Sequence, residues 1–162
     1  GTSGQWANVE SSYQRRADLI PNLVNTVKGY AEHEQETFQG VVEARAKATQ
    51  TVVDPSNISP EELAEYQAAQ NGVSSALSRL LAVVENYPDL KANQNFLELQ
   101  SQLEGTENRI NVERNRFNEV VKAYNMYIKR FPGRVFAGMF GFNEKGYFKA
   151  SAGSEEAPKV EF

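Results

Sequence analysis

Apolar residues recur at every seventh position through the C-terminal half of this chain. The stripe consists of Phe96, Leu103, Ile110, Phe117, Tyr124 and Phe131. Between residues 90 and 130 there is no proline and only one glycine, Gly105. A seven-residue repeat returns to the same face of an α-helix every two turns, so the pattern predicts one long helix whose seam is buried against other helices.

A similar stripe near the start of the chain predicts another long helix, from about residue 5 to about residue 51. Its seam residues are Trp6, Tyr13, Ile20, Val27 and Val41. Pro21 lies inside this pattern, where it has no N–H to bond the carbonyl of Ala17. Because the stripe resumes in phase after Pro21, we predict a kink at this proline rather than a break.

The middle of the chain predicts a third helix with a clear start. Ser59 provides an N-cap, Pro60 stands at the first helical position, and Glu61 and Glu62 add acids to the first turn. Residues 86–89 end this helix and open the long C-terminal one, which stops at residues 131–133. The predicted fold class is all-α: an antiparallel up-and-down bundle of three long helices, with a short fourth element at the C-terminus.

The pattern changes after residue 133 to a segment rich in glycine and aromatic residues. The candidate contact residues are Phe136, Phe140, Phe142, Tyr147 and Phe148. One interpretation is a lid that folds back over one end of the bundle; the other is a docking surface for a partner or a membrane. In an up-down-up bundle this segment would lie at the end away from the start of the first helix. We treat residues 1–162 as one domain, in which 1–5 are an expression remnant or a cut end and 133–162 form a C-terminal cap and tail.

Composition excludes several kinds of chemistry. The chain has no cysteine and one histidine, His33, which rules out a Cys/His zinc site and paired Glu-x-x-His motifs. A net charge of −4 does not favour binding to nucleic acid. Nucleotide-binding glycine motifs and the nucleophile elbow are missing from the sequence. We therefore predict no enzymatic activity, no metal and no cofactor, and expect a protein that binds or scaffolds.

Several strings in the sequence resemble the signatures of the bacterial LemA family. Residues 15–24 read Arg-Arg-Ala-Asp-Leu-Ile-Pro-Asn-Leu-Val, and residues 27–34 read Val-Lys-Gly-Tyr-Ala-Glu-His-Glu. Shorter matches follow at residues 107–110, 116–118, 123–125, 131–132, 141–142 and 147–148. The resemblance covers nearly the whole chain. It departs at Glu113, since the family commonly has Ala-Arg where this chain has Glu-Arg.

The resemblance implies a single-pass protein of the bacterial cell membrane, with an N-terminal transmembrane helix followed by an antiparallel helical bundle. The sequence lacks that helix, as a truncated chain would. The family has no established enzymatic activity and no catalytic residues to transfer. The expected function is therefore a non-enzymatic, membrane-anchored scaffold or protein-interaction module. The alternative is a bundle with an internal site for a small ligand, sensory or enzymatic.

Polar residues within the signatures are the remaining candidates for chemistry. They are Arg16, Glu34 and Glu113 at seam positions, the neighbouring Arg114 and Arg116, and the seven-spaced Asn111, Asn118 and Asn125. If the first and last helices run parallel, Arg16 and Glu113 lie roughly 20 Å apart at ~1.5 Å per residue, whereas Glu34 lies level with Arg114 and Arg116. We predict that Glu34 pairs with one of these arginines. The set is either a network that fixes helix register or a site for a small acidic or amide-bearing ligand.

Overall fold

The computed structural model describes the backbone of residues 2–129 and the side chains of residues 3–126. All regular elements in this range are α-helices. They are α1 (Thr2–Lys28), α2 (Gln35–Gln50), α3 (Pro60–Val84), the short α4 (Pro88–Lys91) and α5 (Gln94–Lys129). The predicted all-α class is confirmed, but the described residues contain four long helices rather than three.

The long helices form an up-down-up-down bundle. Near its start α1 contacts the later part of α5, where the rings of Trp6 and Phe117 lie 5.5 Å apart, so these two helices are antiparallel. The end of α1 meets the beginning of α2, where the Lys28 ammonium lies 5.8 Å from the Phe38 ring. α3 runs parallel to α1, with the Tyr66 ring 4.9 Å from that of Trp6. The bundle is therefore antiparallel between successive long helices, as expected.

The first predicted helix ends at Lys28, so its extension to residue 51 is wrong. The chain turns between residues 29 and 34, where the N–H groups of Tyr30 and Ala31 both donate to the carbonyl of Val27. Gly29 has the low helix propensity that suits this position. Ala31 is buried in the turn. The apolar stripe resumes after the turn because α1 and α2 bury their apolar faces in the same core. The phase of this stripe alone therefore does not distinguish one continuous helix from a helical hairpin.

Two other helix signals are confirmed, the continuity of the first helix at Pro21 and the start of the third helix at Ser59; the predicted stop at residues 131–133 lies outside the described residues. α1 continues through Pro21. At the start of α3 the N–H of Glu62 donates to the Ser59 hydroxyl at 3.1 Å. The start of the last helix is displaced by the short α4, and α5 begins only after Asn93, whose side-chain oxygen accepts a bond from the N–H of Phe96 at 3.0 Å.

The core consists of two apolar clusters. One, which we call the aliphatic cluster, is formed by Ile20, Leu23, Val24, Val27, Ala31, Phe38, Val41, Ala48, Ala69, Val73, Ala76, Leu77, Leu80, Val84, Leu90, Phe96 and Leu103. The other, the aromatic cluster, is formed by Trp6, Val9, Tyr13, Val53, Ile58, Leu63, Tyr66, Ile110, Phe117 and Val121. The last helix contributes to both, and its predicted seam is buried from Phe96 to Phe117.

The end of the bundle at which α1 begins also holds the loop between α2 and α3. The Ser3 hydroxyl donates to the carbonyl of Pro55 at 3.1 Å. Because α5 is antiparallel to α1, it descends toward this same end, so the expectation that its C-terminus lies at the opposite end is wrong. No helix between Thr2 and Lys129 has the apolar length needed to cross a bilayer.

Candidate functional site

Arg16 crosses the bundle at the boundary between the two apolar clusters. Its side chain is 3% exposed. One terminal nitrogen, Nη1, donates to the Ser74 hydroxyl at 2.8 Å and to the Glu107 carboxylate at 3.0 Å. The other, Nη2, donates to the backbone carbonyl and the side-chain oxygen of Gln70, at 2.8 and 3.0 Å. A single arginine of α1 thereby links α3 and α5.

These bonds offset much of the cost of burying a charge at a seam position, although the Nε–H of Arg16 is buried without a partner among the described residues. A buried guanidinium is tolerated only when its donors find acceptors and a counter-charge is near. The counter-charge is Glu107, whose side chain is 40% exposed and so keeps part of its hydration. The Tyr13 ring adds a further contact, with its centroid 5.2 Å from the guanidinium carbon of Arg16.

Polar residues occupy seam positions on three helices at this level. Arg16 lies between Tyr13 and Ile20 on α1, Gln70 lies on α3, and Thr106 lies on α5. All three of these polar residues are buried. Together with Ser74 and Glu107 they form what we call the polar layer.

A second arginine satisfies the backbone group that Pro21 leaves open. In a regular helix the carbonyl of Ala17 would accept the N–H of residue 21, which proline lacks. Arg45, half-buried on α2, donates its Nε–H to this carbonyl at 2.8 Å. The bond from Arg45 to the carbonyl that Pro21 leaves open therefore holds α2 against α1.

Two buried tyrosines adjoin the polar layer from the aromatic cluster. Their rings meet edge to face, 5.6 Å apart. Burial raises the pKa of Tyr13 and of Tyr66 above the ordinary value of a phenol. The Arg114 guanidinium lies beside the Tyr13 hydroxyl and Gln70 beside that of Tyr66. Both phenols are therefore neutral at pH 7 and keep an O–H to donate.

A groove of about 380 Å³ opens beside the polar layer. Its lining residues include Tyr13, Arg16, Tyr66 and Gln70, together with Glu10 and Arg45. Small side chains of α1 and α2, such as Ala17 and Ala48, leave this space between the helices. The groove offers neutral hydroxyls, an amide and charges of both signs, which suits hydrogen-bonded recognition of a small polar molecule.

Glu113 forms a separate buried cluster near the start of α1. Its side chain is 1% exposed, and it accepts bonds from Gln5 Nε2 at 3.0 Å and from Arg109 Nε at 2.7 Å. Arg116 lies 3.6 Å away. Hydrogen bonds from Gln5 and Arg109, with the charges of Arg109 and Arg116, hold the pKa of this carboxyl below its ordinary value. Gln5 also bonds the Glu113 backbone carbonyl at 3.2 Å, which ties α1 to α5.

The predicted pairing of Glu34 with Arg114 or Arg116 is wrong. Glu34 lies in the turn before α2 and accepts a bond from the Tyr87 hydroxyl at 3.4 Å. Arg114 lies beside Tyr13, fifteen residues before the end of α1, which is roughly 22 Å away along the helix at ~1.5 Å per residue. The prediction failed because it placed Glu34 in a continuous first helix that ran parallel to α5.

The structure thus divides the predicted polar network. Arg16 belongs to the polar layer, whereas Glu113 and Arg116 form their own cluster. Asn118 and Asn125 are buried on α5, and Asn111 is exposed. The predicted contact residues Phe136, Phe140, Phe142, Tyr147 and Phe148 lie outside the described residues. Within residues 3–126 no group of three His, Asp or Glu side chains lies close enough to hold a metal ion.

Sequence reasoning missed several members of the site. Gln70 carried a usable signal, because it fills a polar position in the otherwise apolar seam between Tyr66 and Val73. Pro21 likewise implied an open carbonyl at Ala17, although nothing identified Arg45 as its donor. Glu107 and Ser74 stand off the seam among other polar residues, and only the packing of three helices brings them to Arg16.

Comparison with known proteins shows distant relatives. The chain is 27% identical to magnetosome protein MamQ 2 of Paramagnetospirillum magneticum, over 91% of this chain and 61% of the relative. It is 27% identical to magnetosome protein MamQ of Magnetospirillum gryphiswaldense, over 88% and 58%, and 24% identical to Protein LemA of Metamycoplasma hominis, over 88% and 62%. The chain thus spans about three-fifths of the length of these relatives. Residues 5–162 match the LemA family, and the chain belongs to that family.

Proposed function

We propose that this chain is the bundle of a non-enzymatic, membrane-anchored scaffold that binds other proteins. The observation that supports this most is the set of contacts that Arg16, the most deeply buried charge of the polar layer, makes with other helices. Its four hydrogen bonds run to side chains and backbone of α3 and α5. Such contacts fix the register of neighbouring helices, which suits a rigid body that presents its surface to partners.

The membrane anchor is proposed from the family resemblance. A transmembrane segment preceding α1 would place the start of α1, the loop between α2 and α3 and the later part of α5 near the bilayer. The turn at residues 29–34 and the α3–α4 junction would then face away from it. With 27 residues at ~1.5 Å each, α1 would carry this distal end about 40 Å from the membrane.

Proximity labelling of the full-length protein in its native cell tests the scaffold proposal. A matched control keeps the anchor and replaces the bundle with an unrelated helical bundle of similar size. We expect a reproducible set of labelled proteins that is lost in the control. An identical set for both proteins would contradict the proposal. So would turnover in a hydrolase and phosphatase screen that is abolished by a change at Arg16 or Glu113.

The groove beside the polar layer favours a second candidate, a small-ligand site within the bundle. Its lining residues include two neutral phenols and an amide, with Arg45 and Glu10 as charged residues. A ligand library can be screened by the shift in melting temperature, using Ala48→Met to fill the groove. A ligand that stabilises the native chain and not this variant would support the second candidate over a purely architectural polar layer.

A further inference from the structure

A second groove, of about 480 Å³, opens between α1 and α5. The residues that line it are Asn8, Ser11, Ser12 and Arg15 of α1 and Gln102, Gly105, Thr106 and Arg109 of α5. Each helix contributes positions i, i+3, i+4 and i+7, which form one continuous face. The groove is distinct from the one beside the polar layer, which α2 and α3 help to line.

Short side chains create this space where the two helices pass. A Cβ atom added to Gly105 would meet nothing within 4 Å. The hydroxyls of Ser12 and Thr106 donate to carbonyls of their own helices, at 3.0 and 2.9 Å, and this holds both side chains close to the backbone. The middle of the groove is therefore lined by short side chains, and its lining as a whole is polar.

The lining carries two positive charges and no carboxylate. Arg15 is exposed, and no hydrogen bond or ion pair joins it to another described residue. Arg109 binds Glu113 through Nε at 2.7 Å, which leaves its two terminal nitrogens available. Glu113 is shared with Arg116, so this trio retains one net positive charge. The groove is thus locally cationic in a chain whose net charge is −4.

Nearby carboxylates, among them Asp18, Glu104 and Glu107, reduce this charge, but none of them lines the groove. Asp18, one turn from Arg15, accepts a bond from Gln14 at 2.8 Å. Glu107 is held by Arg16 in the polar layer. The antiparallel contacts Gln5–Glu113 and Arg16–Glu107 place Arg15 and Arg109 between one and six residues apart in level, ~1.5 to ~9 Å along the axis.

From this geometry we infer that the groove between α1 and α5 binds a small phosphate-bearing anion, held by Arg15 at one end and by Arg109 at the other. Guanidinium groups bind phosphate oxygens in pairs, and phosphate offers further acceptors to hydroxyl and amide donors such as Ser11, Asn8 and Gln102. A diphosphate group is short enough to meet both arginines. The phosphate belongs either to a soluble molecule or to a lipid headgroup.

The test titrates the 162-residue chain with inorganic pyrophosphate at low ionic strength, followed by calorimetry and by backbone amide NMR shifts. We expect saturable binding with shifts at Gly105 and Thr106. Arg15→Gln should weaken binding at least tenfold, and Gly105→Leu should abolish it by filling the groove. Arg79→Gln removes an exposed arginine of α3 and serves as the matched charge control, with affinity unchanged. Gly105→Ala is a second control, and it should fold at least as well as the native chain. If it still binds pyrophosphate, the loss of binding in Gly105→Leu comes from the space that leucine occupies.

A parallel arm distinguishes the two phosphate sources by sedimentation with phosphatidylcholine vesicles, with and without phosphatidic acid. Sedimentation that needs phosphatidic acid and is lost in Arg15→Gln and Gly105→Leu assigns the groove to a headgroup; pyrophosphate binding without sedimentation assigns it to a soluble phosphate. The inference is overturned if neither probe binds, if both groove variants bind like the native chain, or if Arg79→Gln weakens binding as much as Arg15→Gln does.

Discussion

The two halves of the bundle are built differently. The aliphatic cluster is mostly Leu, Ile, Val and Ala, whose packing leaves no hydrogen-bonding groups to satisfy. In the aromatic cluster Trp6, Tyr13, Tyr66 and Phe117 meet edge to face, and the two tyrosines adjoin Arg114 and Gln70. The aliphatic cluster accepts any hydrocarbon side chain of suitable volume. The aromatic cluster depends on specific polar partners contributed by different helices.

Both grooves adjoin the polar layer, where the two halves meet. The lining residues of each include the segment of α1 around residues 8–15, beside the polar layer and the aromatic cluster. Near the polar layer, short or hydrogen-bonded side chains stand at positions between the helices. Larger apolar side chains at these positions would fill the space. We therefore expect binding at either of the two proposed sites to depend on the polar layer and the aromatic cluster more than on the aliphatic cluster.

The largest difference between the halves should appear on removal of Arg16. Arg16→Ala deletes the bonds to Ser74, Glu107 and Gln70, and we expect a loss of about 3–5 kcal/mol, as for breaking other buried charge pairs. Arg15→Ala, next in sequence but exposed, should change stability by less than about 0.5 kcal/mol. Urea unfolding followed by circular dichroism measures both. Equal effects would show that the polar layer contributes nothing beyond helix propensity.

The Glu113 cluster predicts a pH dependence confined to the aromatic half. The folded-state pKa of Glu113 is lowered, so its contribution is present above the ordinary value of 4.5 and is lost as pH falls through the lower folded-state pKa. Glu113→Gln should cost about 1.5–3 kcal/mol at pH 7, since it weakens hydrogen bonds to a charged group. The difference in unfolding free energy between Glu113→Gln and the native chain should decrease as the pH falls into the acid range.

Chemical denaturation from pH 7 to pH 3 tests this prediction, with Glu119→Gln as the control at an exposed position of the same helix. A gap between Glu113→Gln and the native chain that stays constant across this range would contradict the assigned role of the carboxylate.

Pro21 and Arg45 should be energetically coupled. Pro21→Ala restores the N–H that bonds the carbonyl of Ala17, so the bond from Arg45 becomes redundant. We expect Arg45→Met to destabilise the native chain by about 1 kcal/mol more than it destabilises the Pro21→Ala variant, a typical net value for one hydrogen bond. A double-mutant cycle measures this coupling, with Lys47→Met as the control on α2. If the effects of the two substitutions on stability are strictly additive, Pro21 and Arg45 are not energetically coupled.

The smallest effects should be the same in both halves. Gly40 of α2 and Gly105 of α5 lie inside helices with open space around an added Cβ atom. Each change to alanine should stabilise the chain by about 0.5–1 kcal/mol through helix propensity. Differential scanning calorimetry of the two variants checks this. Opposite signs would show that one of these sites is constrained by more than its backbone.

The sequence predicted the regular parts of this fold and missed what depends on three-dimensional arrangement. The seven-residue seam and the Ser59 cap are local patterns; the cap is confirmed, and the seam is confirmed from Phe96 to Phe117. The turn after Lys28 was missed because the stripe keeps its phase across it, and that error reversed the direction of α5 relative to α1. The partners of Arg16 could not be read for the same reason, since they come from helices whose relative direction was unknown. Of the polar layer, Arg16 was predicted as a charged residue in an apolar seam, whereas Gln70 carried the same signal on α3 and was missed.

The central claim is that the polar layer fixes the register of the helices in the aromatic half. The chain has no cysteine, so spin labels can be placed beside the aromatic cluster at Ala7→Cys on α1 and Asn115→Cys on α5, both exposed, and their separation measured by pulsed electron paramagnetic resonance. The labelled native bundle should give one narrow distance. Replacing the layer with apolar residues, by Arg16→Met with Gln70→Leu, should leave the protein helical while broadening or splitting that distance. A distribution as narrow as the native one, at the same distance, would contradict the claim.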